Sequence, residues 1–458
     1  MSASITSSTI NLTKTIVGAG LLAIPYAFNQ DGILIGSLLT ILAAITTSYG
    51  LYLLGISSST FLSDPRSSSF FSLCAITYPN FTLLFDFAMF VQCYGVCLSY
   101  IVLIGDVFPS LFGGDRSIWI YLSTLLVVPL SLLKNLDSLR YSSLVGLCAI
   151  AYLVCFIVTK FFTDGITSTD AIHWITVNSF KGLFSSFSIL VFAYTASMNM
   201  FSICNELQDN SIKNITRVIN QSVGISCTLF LTVGILGYLT FGDDVQGNII
   251  INYDPNSIFT KIGQFSLGIT IIFSFPLLFH PLRISTNNMV FSIIRIYNNN
   301  GKKYNETNHT APLLNNSSNN NTTATYSSIS RISSSQASHT SINSMIDESS
   351  LLEEAADLNT VEFSNSRFYL ITFILLVSIY LLGLNVTSFA LVLSLVGATG
   401  STSISFILPG LFGYKLFSGN ESTNKRNSNK LIAITSLVLT IYGVSVMIIS
   451  VFATLFLQ

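Results

Sequence analysis

Apolar stretches of about bilayer length, separated by short polar turns, make up nearly the whole chain. A helix needs roughly 20 apolar residues to cross ~30 Å of hydrocarbon, and runs of that order fall at 9–29, 32–56, 82–108, 117–134, 141–162, 183–205, 216–241, 258–281, 367–384, 387–416 and 431–457. The pattern predicts an all-α polytopic membrane protein with 11 transmembrane helices. Two of the runs are poor continuous helices. The first, TINLTKTIVGAGLLAIPYAFN, has Gly18-Ala19-Gly20 at its centre and Pro25 beyond it. The sixth carries the small, polar patch Ala193-Tyr194-Thr195-Ala196-Ser197. Pro276 and Pro281 in the eighth run, and Gly397, Gly400 and Pro409 in the tenth, mark further places where a helix is expected to bend.

Backbone groups that leave helical geometry inside lipid must meet protein, water or a solute. Small residues in membrane helices are more often packing devices than sites, and a single glycine pair would read that way. Two interruptions five runs apart read differently. They are expected of a five-plus-five repeat, and because five is odd the second unit is inverted relative to the first, as in many secondary transporters. Helix N-termini at the two breaks would suit a carboxylate, while C-terminal ends and freed carbonyls would suit an ammonium. A zwitterion satisfies both.

Only 9% of the 458 residues are charged, against roughly 25% in ordinary soluble proteins. A net charge of −1 argues against nucleic acid as a partner. No phosphate-binding loop, dinucleotide fingerprint, GxSxG elbow or HExxH site is present, so neither an enzyme nor a cofactor is expected. The seven cysteines lie almost wholly in apolar runs without zinc-ligand spacing and read as small core residues, with no metal site. No cleavable signal peptide is evident. Lysines and arginines gather in the segments on the N-terminal side, including Arg66, Lys134, Arg140, Lys213, Arg217 and Arg283, while the opposite loops carry Asp31, Asp115, Asp164, Asp243 and Asp254. This asymmetry predicts a cytosolic N-terminus and a luminal or extracellular C-terminus. Lys14 stands inside the first run, either snorkelling to the interface or serving a site. Asp86, Asp106 and Glu206 sit near span ends and read as structural, and His280 is the histidine closest to a span.

The segment 284–366 is rich in Asn and Ser and too poor in apolar residues to offset ordering. It is expected to be a disordered cytosolic loop between a first membrane region, 1–283, and a second, 367–458. Within it Asp347, Leu351 and Leu352 form an acidic dileucine pattern that clathrin adaptors would read from the cytosol, although such short patterns often arise by chance.

Several stretches, in order, are similar to one family: NLTKTIVGAGLLAIPYAF at 11–28, QCYGVCLSYIVLIGD at 92–106, PLSLLKNLDSLRYSSLVG at 129–146, FAYTASMNMFSICNEL at 192–207, FGDDVQGNII at 241–250, PLLFHPLR at 276–283 and LVGATGSTSISFILPG at 395–410. Each is modest alone; seven in the right order are specific. The chain resembles the amino acid/auxin permease family, which includes fungal vacuolar, animal proton-coupled and sodium-coupled neutral amino-acid transporters. The resemblance implies a LeuT-like fold with one extra helix and secondary active transport of amino acids by alternating access. It also implies roles for particular residues. Thr15, Gly18, Ala19 and Gly20 would face substrate from the first span, Tyr194, Thr195 and Ser197 from the sixth, and Gln92 and Ser99 from the third. Asn11 and Ser274 are the nearest counterparts of sodium-holding positions. Many sodium-coupled relatives have asparagine where this chain has Lys14, whose ammonium would repel a sodium ion and stand in for it. Protons are therefore the expected coupling ion and sodium the alternative. Relatives also often carry Cys-His where this chain has Ala196-Ser197, which leaves the titrating group unidentified. The expectation is a proton-coupled amino-acid transporter of a vacuolar or endolysosomal membrane. The alternatives are a sodium-coupled importer of the plasma membrane and a non-transporting amino-acid sensor.

Overall fold

In the computed structural model the described residues are 3–62, 68–78, 81–133, 142–167, 172–175, 177–306, 365–418 and 426–456. They are helical almost throughout: α1 (Ile5–Ile16), a 3-10 turn (Ala19–Ala23), α2 (Ile24–Asp31), α3 (Ile33–Phe61), α4 (Phe70–Thr77), α5 (Thr82–Phe112), α6 (Arg116–Ser131), α7 (Ser142–Asp164), α8 (Phe180–Ala193), α9 (Ser197–Glu206), α10 (Ile212–Phe241), α11 (Ile258–Glu306), α12 (Asn365–Asn385), α13 (Phe389–Val396), α14 (Leu408–Ser418) and α15 (Arg426–Phe456). Among the described residues nine helical stretches are long and apolar enough to cross a membrane, with α8 and α9 taken together as Phe180–Glu206 and α13 and α14 as Phe389–Ser418, and the pair Ile5–Ile16 and Ala19–Asp31, bent by 45°, makes a tenth. α6, an apolar helix of 16 residues, is shorter than any of these spans. Serines punctuate the chain where helices begin. Ser4, Ser179 and Ser388 each accept a hydrogen bond from the backbone N–H three residues on, satisfying a donor that the first turn leaves free.

The chain divides into two compact units, residues 1–287 with 362–458, and residues 288–361. In the first unit the broken spans lie side by side: α1 packs against α9, and α2 against α8. Each half of one span meets the opposite half of the other, so the two run antiparallel. α10 backs both halves of the first span, and α3 packs on α2, α8 and α9. The second unit is described over 288–306, where it is helical. The helix thus continues beyond residue 283, where the loop was expected to begin; the stretch after Arg283 opens with residues that keep a helix going before the Asn-rich run. Asp347, Leu351 and Leu352 lie outside the described residues, as do Arg66, Lys134 and Arg140.

Two expected bends take other forms. Pro276 and Pro281 sit inside α11 without ending it, each costing one backbone donor in a helix held by its neighbours. The tenth run widens into π-helical turns over Gly397–Ser401 and Ser403–Ile407 instead of breaking. Such turns recur at functional sites. Here the glycines allow close approach: a Cβ on Gly400 would lie 2.8 Å from Gln92 Cα, and one on Gly397 would meet the Ser188 carbonyl.

One acidic residue departs from its expected place. Asp31, read from the sequence as part of an outer loop, is the last residue of α2 and is fully buried.

Candidate functional site

The two breaks build the site. In the first, the Val17 N–H still reaches Thr13 O (2.8 Å), but the Gly18 N–H turns to Ile16 O (2.9 Å) instead of reaching back to Lys14. The chain re-enters through the tight turn Ala19–Ala23 before α2. In the second, the Tyr194 N–H completes α8 on Leu190 O (3.1 Å) and the Thr195 N–H closes a shorter ring on Phe192 O (3.0 Å). α9 starts afresh at Ser197. A helix C-terminus and the beginning of a new helical segment therefore face each other across each break. The breaks also touch: a Cβ placed on Gly20 would lie 2.8 Å from Ala193 Cα and 2.9 Å from its Cβ.

Beside this contact is a cavity of about 260 Å³, close to the lower end of the roughly 300–1,000 Å³ common for small-molecule sites. The first span contributes Lys14, Thr15, Gly18, Ala19 and Gly20 to its wall, and the sixth contributes Thr195, Ala196 and Asn199. α5 supplies Gln92, Val96 and Tyr100; α7 supplies Gly146 and Leu153; α11 supplies Thr270, Ile271 and Ser274. Thr15 Oγ1 donates to the Asn11 carbonyl (3.0 Å) and accepts from Asn199 Nδ2 (3.0 Å), which ties the two broken spans together. Gln92 Oε1 accepts from Ser401 Oγ (2.9 Å), so the amide N–H groups remain for a ligand. Lys14 Cε comes 3.6 Å from where a Cβ on Gly146 would stand, an ordinary contact distance, so the lysine stem runs alongside α7. Among the described residues that line the cavity, Lys14 is the one charged group.

On the side of α1 and α9 the lining reaches the surface at Asn199, which is exposed. The other side is shut. Ile24, Ala27 and Phe28 of α2 are fully buried, and the Phe28 ring fills the space beside Gly36 of α3 and Gly234 of α10. Asn29 Nδ2 donates to Asp243 O (3.1 Å), and Asn178 Nδ2 to Asn29 O (2.9 Å). The Ile33 N–H donates to His173 O (3.0 Å).

Of the residues singled out from the sequence, Thr15, Gly18, Ala19, Gly20, Gln92, Thr195, Lys14 and Ser274 come together on this cavity. Four do not. Tyr194 turns its ring away, edge-on to Phe230 of α10 with centroids 4.9 Å apart, because a large ring finds apolar burial there. The Ser197 hydroxyl faces Ser405 (3.4 Å). Ser99 donates to Val96 O (2.8 Å) and is fully buried one residue off the lining face, a rotation of about 100° on a helix. Asn11 is exposed and enters through its carbonyl, not its amide. Asp86 and Asp106 are also away from the wall, Asp106 lying 3.8 Å from Arg116. Tyr100 and Asn199 were missed. Helical spacing contained the signal: 92, 96 and 100 share one face, as do 195 and 199.

A family model described as transmembrane amino acid transporter protein matches residues 1–455. Vacuolar amino acid transporter 7 of Saccharomyces cerevisiae is similar at 47% identity, covering 98% of this chain and 97% of the relative. Vacuolar amino acid transporter 6 of the same yeast is 32% identical, covering 99% of each. Vacuolar amino acid transporter 5 of Schizosaccharomyces pombe is 32% identical over 97% of this chain and 92% of its own.

Proposed function

Since the chain belongs to the transmembrane amino acid transporter family, the amino acid/auxin permeases, we propose that it carries amino acids across a vacuolar membrane by alternating access, coupled to protons. The observation that supports this most directly is the junction of Gly20 and Ala193, where two antiparallel interrupted helices meet beside a cavity. The α9 N-terminus offers its positive end to a substrate carboxylate, and the C-terminal carbonyls of α1 and α8 offer theirs to the ammonium. Thr15, Gln92 and Asn199 supply side-chain hydrogen bonds. The antiparallel pairing of α1 with α9 and α2 with α8 is what an inverted five-plus-five repeat of the LeuT kind requires. We read α6 as an eleventh, short span beside the ten that length and composition support. With the positive-inside rule the N-terminus is cytosolic, the C-terminus luminal, and the cavity faces the cytosol.

Lys14 favours protons over sodium. Its side chain runs by Gly146 on a wall shared with Thr270 and Ser274, while Asn11, the other sodium-site counterpart, is not among the lining residues. A fixed positive charge there repels a metal cation and performs its electrostatic part. Proteoliposomes given an inside-to-outside pH difference should accumulate a labelled neutral amino acid with or without sodium. Failure across a panel of neutral, acidic and cationic amino acids would remove the transport reading, and a strict sodium requirement would replace protons with sodium. In the same vesicles Lys14→Gln should cut accumulation about tenfold or more, the equivalent of ~1.4 kcal/mol. An unchanged gradient would mean that the ammonium only snorkels.

A further inference from the structure

Among the described residues Asp31 is the one acidic group that the structure takes from an expected loop and places at 0% exposure. It lies at the closed end of the first span, where α2 meets α8, well away from the cavity lining. Its oxygen Oδ1 is 2.7 Å from Ser186 Oγ, and Ser186 is likewise fully buried. The other oxygen, Oδ2, is buried with no hydrogen-bond partner.

The hydrogen-bond arithmetic favours the protonated acid. Ser186 Oγ also lies 2.8 Å from the Leu183 carbonyl. A hydroxyl has one proton, so with Asp31 ionised these two contacts would have to share it in one bifurcated bond. A carboxylic acid removes the conflict: Asp31 donates to Ser186, and Ser186 donates to Leu183. The bare Oδ2 is then a neutral carbonyl oxygen, far cheaper to bury unpaired than a carboxylate oxygen.

Among the described residues no neighbouring charge reverses this. α8 carries Lys181, which is exposed, and α3 carries no Asp, Glu, Lys, Arg or His. The tight turn Ala19–Ala23 has no charged residue. α10 bears Tyr238 at this end, with its hydroxyl on the His173 N–H, and Lys213 and Arg217 near its opposite end. In the flanking loops His173 Nε2 is 3.4 Å from Asp243. Among the described residues no ion pair within 4.0 Å joins any of them to Asp31.

We propose that Asp31 is a proton-operated latch on the outer gate. Closing α2 against α8 takes one proton from the outer solution onto the carboxylate; opening hydrates the carboxyl and returns the proton to that same solution. The proton does not cross the membrane, so the latch rests on the carrier reading only in requiring an outer gate, and is independent of which ion drives transport. Acid outside stabilises the closed form, because the closed form is the one that holds the proton. A carrier facing an acidic compartment would then rest open to the opposite side.

The test is a pair of spin labels across the gate, at Gln30→Cys of α2, which is half-buried, and Lys181→Cys of α8, which is exposed. The background lacks Cys148, Cys155 and Cys227, the cysteines that are not buried. In nanodiscs, raising the pH should convert a short inter-label distance into a long one along a single-proton titration. With Asp31→Asn the short distance should persist at every pH, a complete loss of the response. Asp31→Ser, which is smaller and equally unable to ionise, should behave the same if the asparagine variant does not fold. A wild-type distance that ignores pH, or a response that survives in both variants, overturns the latch. Substrate flux is not the readout, so a failed uptake panel leaves the latch result intact.

Discussion

Gly20→Ala is expected to abolish most transport while Gly18→Ala, two residues earlier, leaves the protein folded and active. The difference is space. A Cβ at Gly20 would sit 2.8 Å from Ala193 Cα, and backbone at that distance cannot step aside as a flexible side chain can. At Gly18 the nearest atom is the Thr15 carbonyl oxygen at 3.7 Å, an ordinary contact. Forcing the breaks apart should cost about 1–3 kcal/mol of stability, as overpacking does. The functional loss should be larger, since the same displacement widens the junction beside the cavity. Thermal unfolding in detergent and initial uptake rates in vesicles measure the two effects separately. If Gly20→Ala transports at the wild-type rate, close approach at the breaks is not what holds the site together.

The second large effect is expected at Arg283, which is 2% exposed. Its guanidinium donates to the Ser131 carbonyl at the end of α6 (3.1 Å) and to Thr372 Oγ1 of α12 (3.4 Å). It also lies 3.9 Å above the Phe368 ring. His280 Nδ1 is 3.1 Å from its NH2, and because a guanidinium can only donate, that ring nitrogen must be an unprotonated acceptor. One side chain thus joins α6, α11 and α12, with the negative end of α6 offsetting part of its charge. Arg283→Met should lower stability by roughly 3 kcal/mol or more, because hydrogen bonds to charged groups contribute about 1.5–3 kcal/mol each. Arg283→Lys should rescue little, since an ammonium lacks the planar fork that reaches several partners and stacks on a ring. Melting temperatures of the purified variants decide this, and a lysine variant as stable as wild type would show that charge alone suffices there.

These two positions were legible in the sequence to different degrees. Gly18-Ala19-Gly20 announced a break because glycine both weakens a helix and admits close approach. The patch from Ala193 to Ser197 did the same less clearly. Arg283 was counted as one more charge at the cytosolic interface, since a run of apolar residues says where a span ends and not which neighbours cover its end. His280 was singled out as a titratable group, and its partner is three residues away on the same helix.

What the chain determined by itself was everything set by local patterning: the spans, the two interruptions, the charge asymmetry and the family motifs. Each depends on residues close together in sequence, so period and composition are enough to read it. The tertiary structure decided which way side chains point at the breaks. It turned Tyr194 to Phe230 and brought Asn199 to Thr15, contacts between residues 36 and 184 positions apart that no local pattern encodes. It also decided that Asp31 is buried, because a carboxylate at a helix end is a loop residue or a core residue according to what packs over it, and here α8 does.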